Sequence, residues 1–405
     1  MQVTDSTPTR RHHFVFILVT LFFWASLYTY VPILSPYLDH LGATYSFAGL
    51  VLGSYGFVQI LLRLPLGIAS DRMKVRKPFI MLGMLSTTLS CICFAMDGHL
   101  GWALAGRIVS GIGASTWAAF TVLYASYFSR DQATRAMSLI SLLTASGQLV
   151  GMGVSGYLVK EWGWTSTFWV GSVIGAAGLI ISLGIHEPKE GISREPIQWS
   201  NLYRVMKEPL LLKVSTLSIL AHSILFITMF GFTPSHAMAL GADELGLTLL
   251  VFAFMLPHAV SNYISGRFLA PRYGSWTLVI IGFILSALCT TAISLADSLT
   301  VLVVTQVCNG FFQGICFPLL LTLAIDKIDR EKQATAMGFY QAVYAVGMFA
   351  GPFVAGWINE WGGLKSGFYF AGALGVAATI LAIIWSRAEM KLSAAQARKR
   401  NVTVT

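Results

Sequence analysis

Twelve stretches of this sequence are apolar and long enough to cross a lipid bilayer, and that single feature excludes most folds. They run at about 14–37, 46–70, 78–96, 100–127, 135–158 and 165–185, then at about 210–234, 245–270, 276–296, 299–325, 334–358 and 366–386. Roughly 20 apolar residues span the hydrocarbon as a helix, and only helices or closed barrels satisfy the backbone there. Continuous apolar runs, without the alternation of a barrel strand, predict an all-α integral membrane protein. Charged residues make up 11% of the chain, against about 25% in a soluble domain.

The bases fix a predicted orientation. Of 27 Lys and Arg, all but four fall in links or tails on one side of this layout. Lys160 and Lys365 lie on the other side, and Arg63 and Arg107 lie within spans. Clustered Lys and Arg stay on the cytoplasmic side, which puts both termini inside, the first span being uncleaved. A net charge of +9 distributed in this way is a topology signal, and it argues against a nucleic-acid partner. Expected segments are a cytoplasmic N-terminus 1–13, a six-helix bundle 14–185, a linker 186–209, a second bundle 210–387 and a basic tail 388–405. Cys91, Cys93, Cys289, Cys308 and Cys316 all fall in apolar runs, a placement that suits packing rather than disulfides or metal. No cofactor or metal site is expected.

The chain repeats itself. Residues 137–156 slid by 200 positions match 337–356 at Met137, Ala145, Gly147, Gly151, Val154 and Gly156, which fall on Met337, Ala345, Gly347, Gly351, Val354 and Gly356. At a shift of 199, Glu161-Trp162-Gly163 meets Glu360-Trp361-Gly362, and Gly42-Ala43 meets Gly241-Ala242. An even number of spans per half makes this a parallel repeat. The expected architecture is therefore 12 transmembrane helices in two parallel-repeat six-helix bundles with a seam between them.

Between the second and third runs lies Gly67-Ile-Ala-Ser-Asp71-Arg72-Met-Lys-Val-Arg76-Lys77. This stretch resembles the loop signature of the major facilitator superfamily of secondary transporters. Arg107-x-x-Ser110-Gly111-x-Gly113-Ala114 is similar to that family's fourth-span motif, and Gly147-x-x-x-Gly151-Met152-x-x-x-Gly156 to the glycine motif of its antiporter branch. Pro32, Pro36 and Gly42-Ala43 resemble the start of its drug:proton antiporters. The chain departs from the pattern at Lys74 and Val75 in the loop, at Met152, and at Pro271, which stands where an acid would be in the second half. The resemblance implies a gate built on Gly67, Asp71, Arg72, Arg76 and Lys77 that holds the cytoplasmic side closed, and the missing acid at Pro271 makes that latch one-sided.

The residues themselves nominate a site. A charge inside a span costs roughly 2.5–3.5 kcal/mol on insertion scales, so Arg63 and Arg107 need a reason to be there. The family motif favours a cavity role for Arg107, while Arg63 is equally able to reach the headgroups. No Asp or Glu falls mid-span, which leaves both arginines unneutralised and favours neutral, zwitterionic or anionic cargo over cations. His222 and His258 could carry a coupling proton, although a lone buried histidine is more often structural. Tyr28, Tyr55, Gln59, Gln148, Asn262, Asn309, Gln313, Gln341 and Tyr344 could line a cavity or bond between helices. Gly111, Gly147, Gly151, Gly156, Gly347, Gly351 and Gly356 allow close helix approach, and the span-five and span-eleven glycines are expected on the seam that rocks. Trp24 and Trp117 read as packing or interfacial belt.

The function expected is a monomeric, non-enzymatic plasma-membrane transporter that exports small amphipathic molecules, drugs, metabolites or metal chelators, driven by an ion gradient, with a proton as the coupling partner. Uptake of a sugar or organic anion is the alternative. A membrane enzyme or sensor has no supporting motif, since neither a P-loop nor a metalloprotease signature is present.

Overall fold

In the computed structural model the described residues are 8–96, 99–129, 132–188, 205–329 and 332–402. Side chains are not described at 133, 134 and 334, nor from 392 onward, so most of the expected linker, and the side chains of most of the expected tail, lie outside the described residues. Twelve helical spans follow one another: α1 (Arg10–His40), α2 (Tyr45–Met73), α3 (Lys77–Ala95), α4 (Leu100–Ala125), α5 (Ala133–Trp162), α6 (Thr165–Ser182), α7 (Pro209–Ala239), α8 (Glu244–Tyr273), α9 (Ser275–Ser294), α10 (Leu299–Ile325), α11 (Gln333–Gly362) and α12 (Lys365–Val402). Eleven are long and apolar enough to cross a membrane and α6 is a shorter apolar helix, so the chain is an all-α membrane protein.

Local chemistry sets the helix starts and breaks. The side chains of Thr44, Asp243 and Ser298 accept backbone N–H groups of Phe47, Gly246 and Val301, capping α2, α8 and α10. Pro32 and Pro36 interrupt α1, which passes through a 3-10 turn at Val31–Ile33. Its repeat partner α7 breaks at the same level through a π turn, Thr228–Phe232, before Pro234. Where prolines remove backbone donors, neighbouring helices must supply partners. Ser35 and Ser235, one from each broken helix, share a hydroxyl–hydroxyl bond across the seam.

The two halves correspond closely, with one correction to the repeat read from sequence. α5 and α11 each contain 30 residues and end on Gly163 and Gly363 in matching positive-φ conformations, φ 81° and 78°. Gly163 therefore corresponds to Gly363, not Gly362, and the Glu-Trp-Gly match lies one residue out of register. Side-chain identity misled there, because the requirement for a positive φ falls on the following glycine. A second offset occurs in α8, which has 30 residues where α2 has 29. The extra residue is taken up by a π turn at Ser265–Leu269.

The seam is closed at the end bearing Gly42. Gly49, Gly53 and Gly56 of α2 lie against Pro352, Phe349 and Met348 of α11, and a Cβ on any of them would strike its neighbour. Across the other pair, Gly156 of α5 lies against Glu244 of α8, and its N–H donates to Thr248 Oγ1 at 3.2 Å. Glu360, at the end of α11, accepts from the backbone N–H and hydroxyl of Ser46 at 3.1 and 3.3 Å, placing a negative charge at the N-terminus of α2. At the opposite end a methyl group added to Gly67 or to Gly266 would meet nothing within 4 Å. Because lipid solvates apolar side chains as well as protein does, these helices are held by close packing and interhelical hydrogen bonds rather than by hydrophobic expulsion.

Four of the six span-five and span-eleven glycines are not on the seam. Gly147 and Gly151 rest on Leu21, Trp24 and Ala25 of α1, inside their own bundle, and Gly347 and Gly351 rest on Ile219 and Ser223 of α7 in theirs. Of the six, Gly156 and Gly356 cross between halves. The helix is long enough to change neighbours along its length, so the glycine pattern does double duty. Gly111 of α4 packs against Val58 and the Tyr55 carbonyl of α2.

Candidate functional site

Two cavities lie along one face of α2, where Tyr55, Gln59 and Arg63 recur every four residues. The first, of about 120 Å³, sits at the open end between α2, α4 and α11. Arg63 lines it, together with Trp117, Met337 and Gln341, and with Ser70, Asp71 and Arg76 nearer its mouth. The second is a pocket of about 10 Å³ around Arg107, walled by Tyr28, Val31, Tyr55, Phe226 and Phe230. That is room for about one water at most.

Both arginines are buried, with 8% of Arg63 and 3% of Arg107 exposed. The Arg107 guanidinium sits 4.4 Å from the centre of the Tyr55 ring. Arg63 Nη1 donates to Gln59 Oε1 at 2.8 Å, and the guanidinium lies 5.7 Å from the Tyr344 ring centre across the seam. These aromatic faces offset part of the desolvation of a cation. The Nε of each arginine has no hydrogen-bond partner, and among the described residues no carboxylate forms an ion pair with either.

Beyond Arg63, His222 stacks on Tyr344 with centroids 4.0 Å apart and planes 3° from parallel, and its Nδ1 pairs with the Ser218 carbonyl at 2.8 Å. His258 stacks on Phe254 at 5.6 Å, and its Nδ1 is buried without a partner. Phe317 stands between the two histidines, 4.8 Å from one and 5.6 Å from the other.

The remaining nominated residues divide. Tyr28, Tyr55, Gln59, Gln341 and Tyr344 gather with the arginines. Asn309 and Gln313 do not: both are buried in the second half, where Gln313 and Ser286 donate to Asn309 Oδ1 at 3.1 and 3.0 Å. Asn262 is exposed beside Tyr263, and Gln148 is half-buried; neither lines the two cavities. A helical wheel does not reveal which face a polar residue presents when both lipid and protein flank the helix. Trp24 and Trp117 pack edge to face at 4.9 Å, and Trp117 also reaches the first cavity, a contribution not evident from residue type alone.

The loop after α2 is built around ions. Asp71 accepts from Arg76 Nη2 at 2.6 Å with both side chains buried, and Arg76 Nη1 donates to Ser70 at 2.7 Å. Lys74 closes the turn with φ 53°, where the family pattern has a glycine. Glu187 accepts the backbone N–H groups of Arg76 and Lys77, capping α3, and Lys77 Nζ donates to the Leu183 carbonyl at 2.6 Å. Glu187 stands in the stretch read from sequence as linker, and no local pattern marks a cap so distant in the chain. The second half uses a different device: Glu389 of α12 accepts from Lys213 at 2.9 Å and Lys327 at 2.6 Å.

The sequence profile of the Major Facilitator Superfamily matches residues 16–248 and 219–404. The chain belongs to this superfamily. It is similar to the inner membrane transport protein YajR of Escherichia coli, 24% identical with 89% of this chain and 78% of the relative covered. It is also similar to the multi-drug resistance efflux pump PmrA homolog of Lactococcus lactis, at 22% identity covering 95% and 96%. Among solved structures, a bacterial homolog of the human lysosomal transporter Spinster, in an inward-facing and occupied conformation, superposes with a TM-score of 0.78 at 15% identity, covering 94% of this chain and 98% of that one. The superfamily places this multi-pass protein among transporters of small molecules.

Proposed function

We propose that the chain is a secondary active exporter of small amphipathic compounds of the drug, metabolite or metallophore type, working by alternating access and driven by an ion gradient. One observation carries this reading: the seam is sealed by glycine contacts and polar bonds at the Gly42 end, while a cavity lined by both halves reaches Arg63 from the Asp71 end. Such one-sided access is half of an alternating cycle. With bases retained in the cytoplasm, the Asp71 end and both termini face inside, and 14–185 and 210–387 act as the two rocking bundles. The efflux names of relatives support export.

In this reading Asp71, Arg72, Arg76 and Lys77 form the inner gate, Arg63 and Arg107 contact cargo, and His222 and His258 carry the coupling proton. Counterflow of a labelled cationic, neutral and anionic solute set in proteoliposomes, with and without an inward proton gradient, tests it. Export stimulated by the gradient is expected. Accumulation driven in the opposite direction would instead establish an uptake permease, and the absence of counterflow for every solute would remove the transport reading.

A further inference from the structure

The first cavity carries a charge asymmetry. Of its lining residues Arg63, Asp71 and Arg76 are the charged types, and Asp71 is already paired with Arg76 at 2.6 Å. Arg63 is left as the single uncompensated charge of that lining, more than nine-tenths buried, with Nε unpartnered, Nη1 on an amide oxygen and an aromatic ring across the seam. The same lining includes the apolar side chains of Leu64, Trp117, Ala119, Val122 and Met337. A buried cation in low dielectric is poorly satisfied by neutral groups, and its guanidinium fork matches a carboxylate or phosphate edge. Arg107 cannot serve the same ligand in this state, because its pocket of about 10 Å³ admits no more than a water.

We propose that this cavity is an anion subsite: it binds the charged group of an amphipathic organic monoanion on Arg63 and the apolar body of that molecule against Trp117, Val122 and Met337. The inference rests on the transporter reading and narrows its cargo. Arg63 and Tyr344 belong to opposite halves, so an anion held at Arg63 sits where the seam must move. A cation of the same shape would meet Arg63 without a counter-charge, and a dianion would leave one charge unmatched.

Binding of naphthalene-2-carboxylate, its uncharged carboxamide and 2-naphthylmethylammonium to the purified full-length protein, followed by tryptophan fluorescence and thermal shift, tests the subsite. The carboxylate should bind saturably, the amide at least about tenfold more weakly, and the cation more weakly still. Arg63→Gln should bring the carboxylate down to the affinity of the amide while leaving the amide unchanged, and Arg63→Lys should retain part of the preference. Lys160→Gln, which removes an exposed base outside the cavity, should leave carboxylate affinity within about twofold. Equal affinity of the three compounds, no carboxylate binding, or a preference that survives Arg63→Gln overturns the proposal. Transport of neutral solutes without anion preference removes this subsite but leaves the transporter, whereas Arg63-dependent binding without counterflow of any solute does the reverse.

Discussion

Adding one methyl group at Gly53 should tilt the conformational balance of this protein. A Cβ there would stand 2.6 Å from the backbone oxygen of Phe349 and 3.2 Å from its ring. Ordinary contact begins at 3.4 Å, so α2 and α11 must part by about 0.8 Å at a point where the obstacle is backbone and cannot rotate away. Overpacking of this kind costs about 1–3 kcal/mol. The cost falls only on the state in which this end of the seam is shut, so Gly53→Ala should move the equilibrium towards the opposite state by about 5- to 150-fold. A cysteine replacing Val31, which is 5% exposed in the sealed Arg107 pocket, reports this when the five native cysteines are replaced by serine. Its labelling by a membrane-impermeant maleimide should accelerate in Gly53→Ala by a factor in that range. Gly67→Ala, where a Cβ meets nothing within 4 Å, should not accelerate it. Unchanged labelling in Gly53→Ala, or equal acceleration by Gly67→Ala, would refute the assignment of the glycine row to a closed gate.

Further perturbations test the other contacts. Asp71→Asn strands the buried Arg76 guanidinium, a loss of about 3–5 kcal/mol for a broken buried pair; counterflow should slow severalfold with membrane insertion intact, and full activity would reduce the loop to a topology signal. Cysteines replacing both Ser35 and Ser235 should cross-link on oxidation and arrest transport, with recovery on reduction, because the two hydroxyls already touch across the seam; continued transport by the cross-linked protein would show that this contact does not open. Glu360→Gln weakens the charge on the α2 N-terminus by about 0.3–1 kcal/mol and should raise Val31→Cys labelling modestly, less than Gly53→Ala does. Replacing His222 and His258 together by glutamine should abolish stimulation by a proton gradient while preserving counterflow; unaltered pH dependence would take the proton elsewhere.

Span positions were legible in the sequence because hydrocarbon thickness imposes one length on every segment: the expected run at 299–325 coincides with α10, and the others lie within a few residues of their helices, apart from longer ends on α1, α7 and α12. Side-chain direction was less legible. The small-residue spacing Gly49-x-x-x-Gly53-x-x-Gly56 is present in span two, yet the family motif points to span five, whose glycines mostly hold α1. Arg63 and Arg107 could not be ranked from sequence, since access to a span residue depends on which end of the seam is open. Asn309 and Gln313 share a helix face as expected, but that face looks towards Ser286 rather than the cavity. Glu187 and Glu389 act over separations of more than 60 residues, beyond any local pattern.

The π turn in α8 bears on how far the two halves can be interchanged. An inserted residue in a helix rotates everything after it by about 100° (3.6 residues per turn), unless a wide turn absorbs it. Ser265–Leu269 does so, leaving α8 one residue longer than α2 with both ends still in place. Deleting a single residue within that turn should therefore be tolerated as a return to regular helix, whereas the same deletion at the matching level of α2, about residues 66–70, would turn Asp71 and the end of that helix by about 100° relative to Arg63. Length changes are forgiven at one position in this repeat, and a chimera that swaps α2 for α8 must be joined on the far side of it.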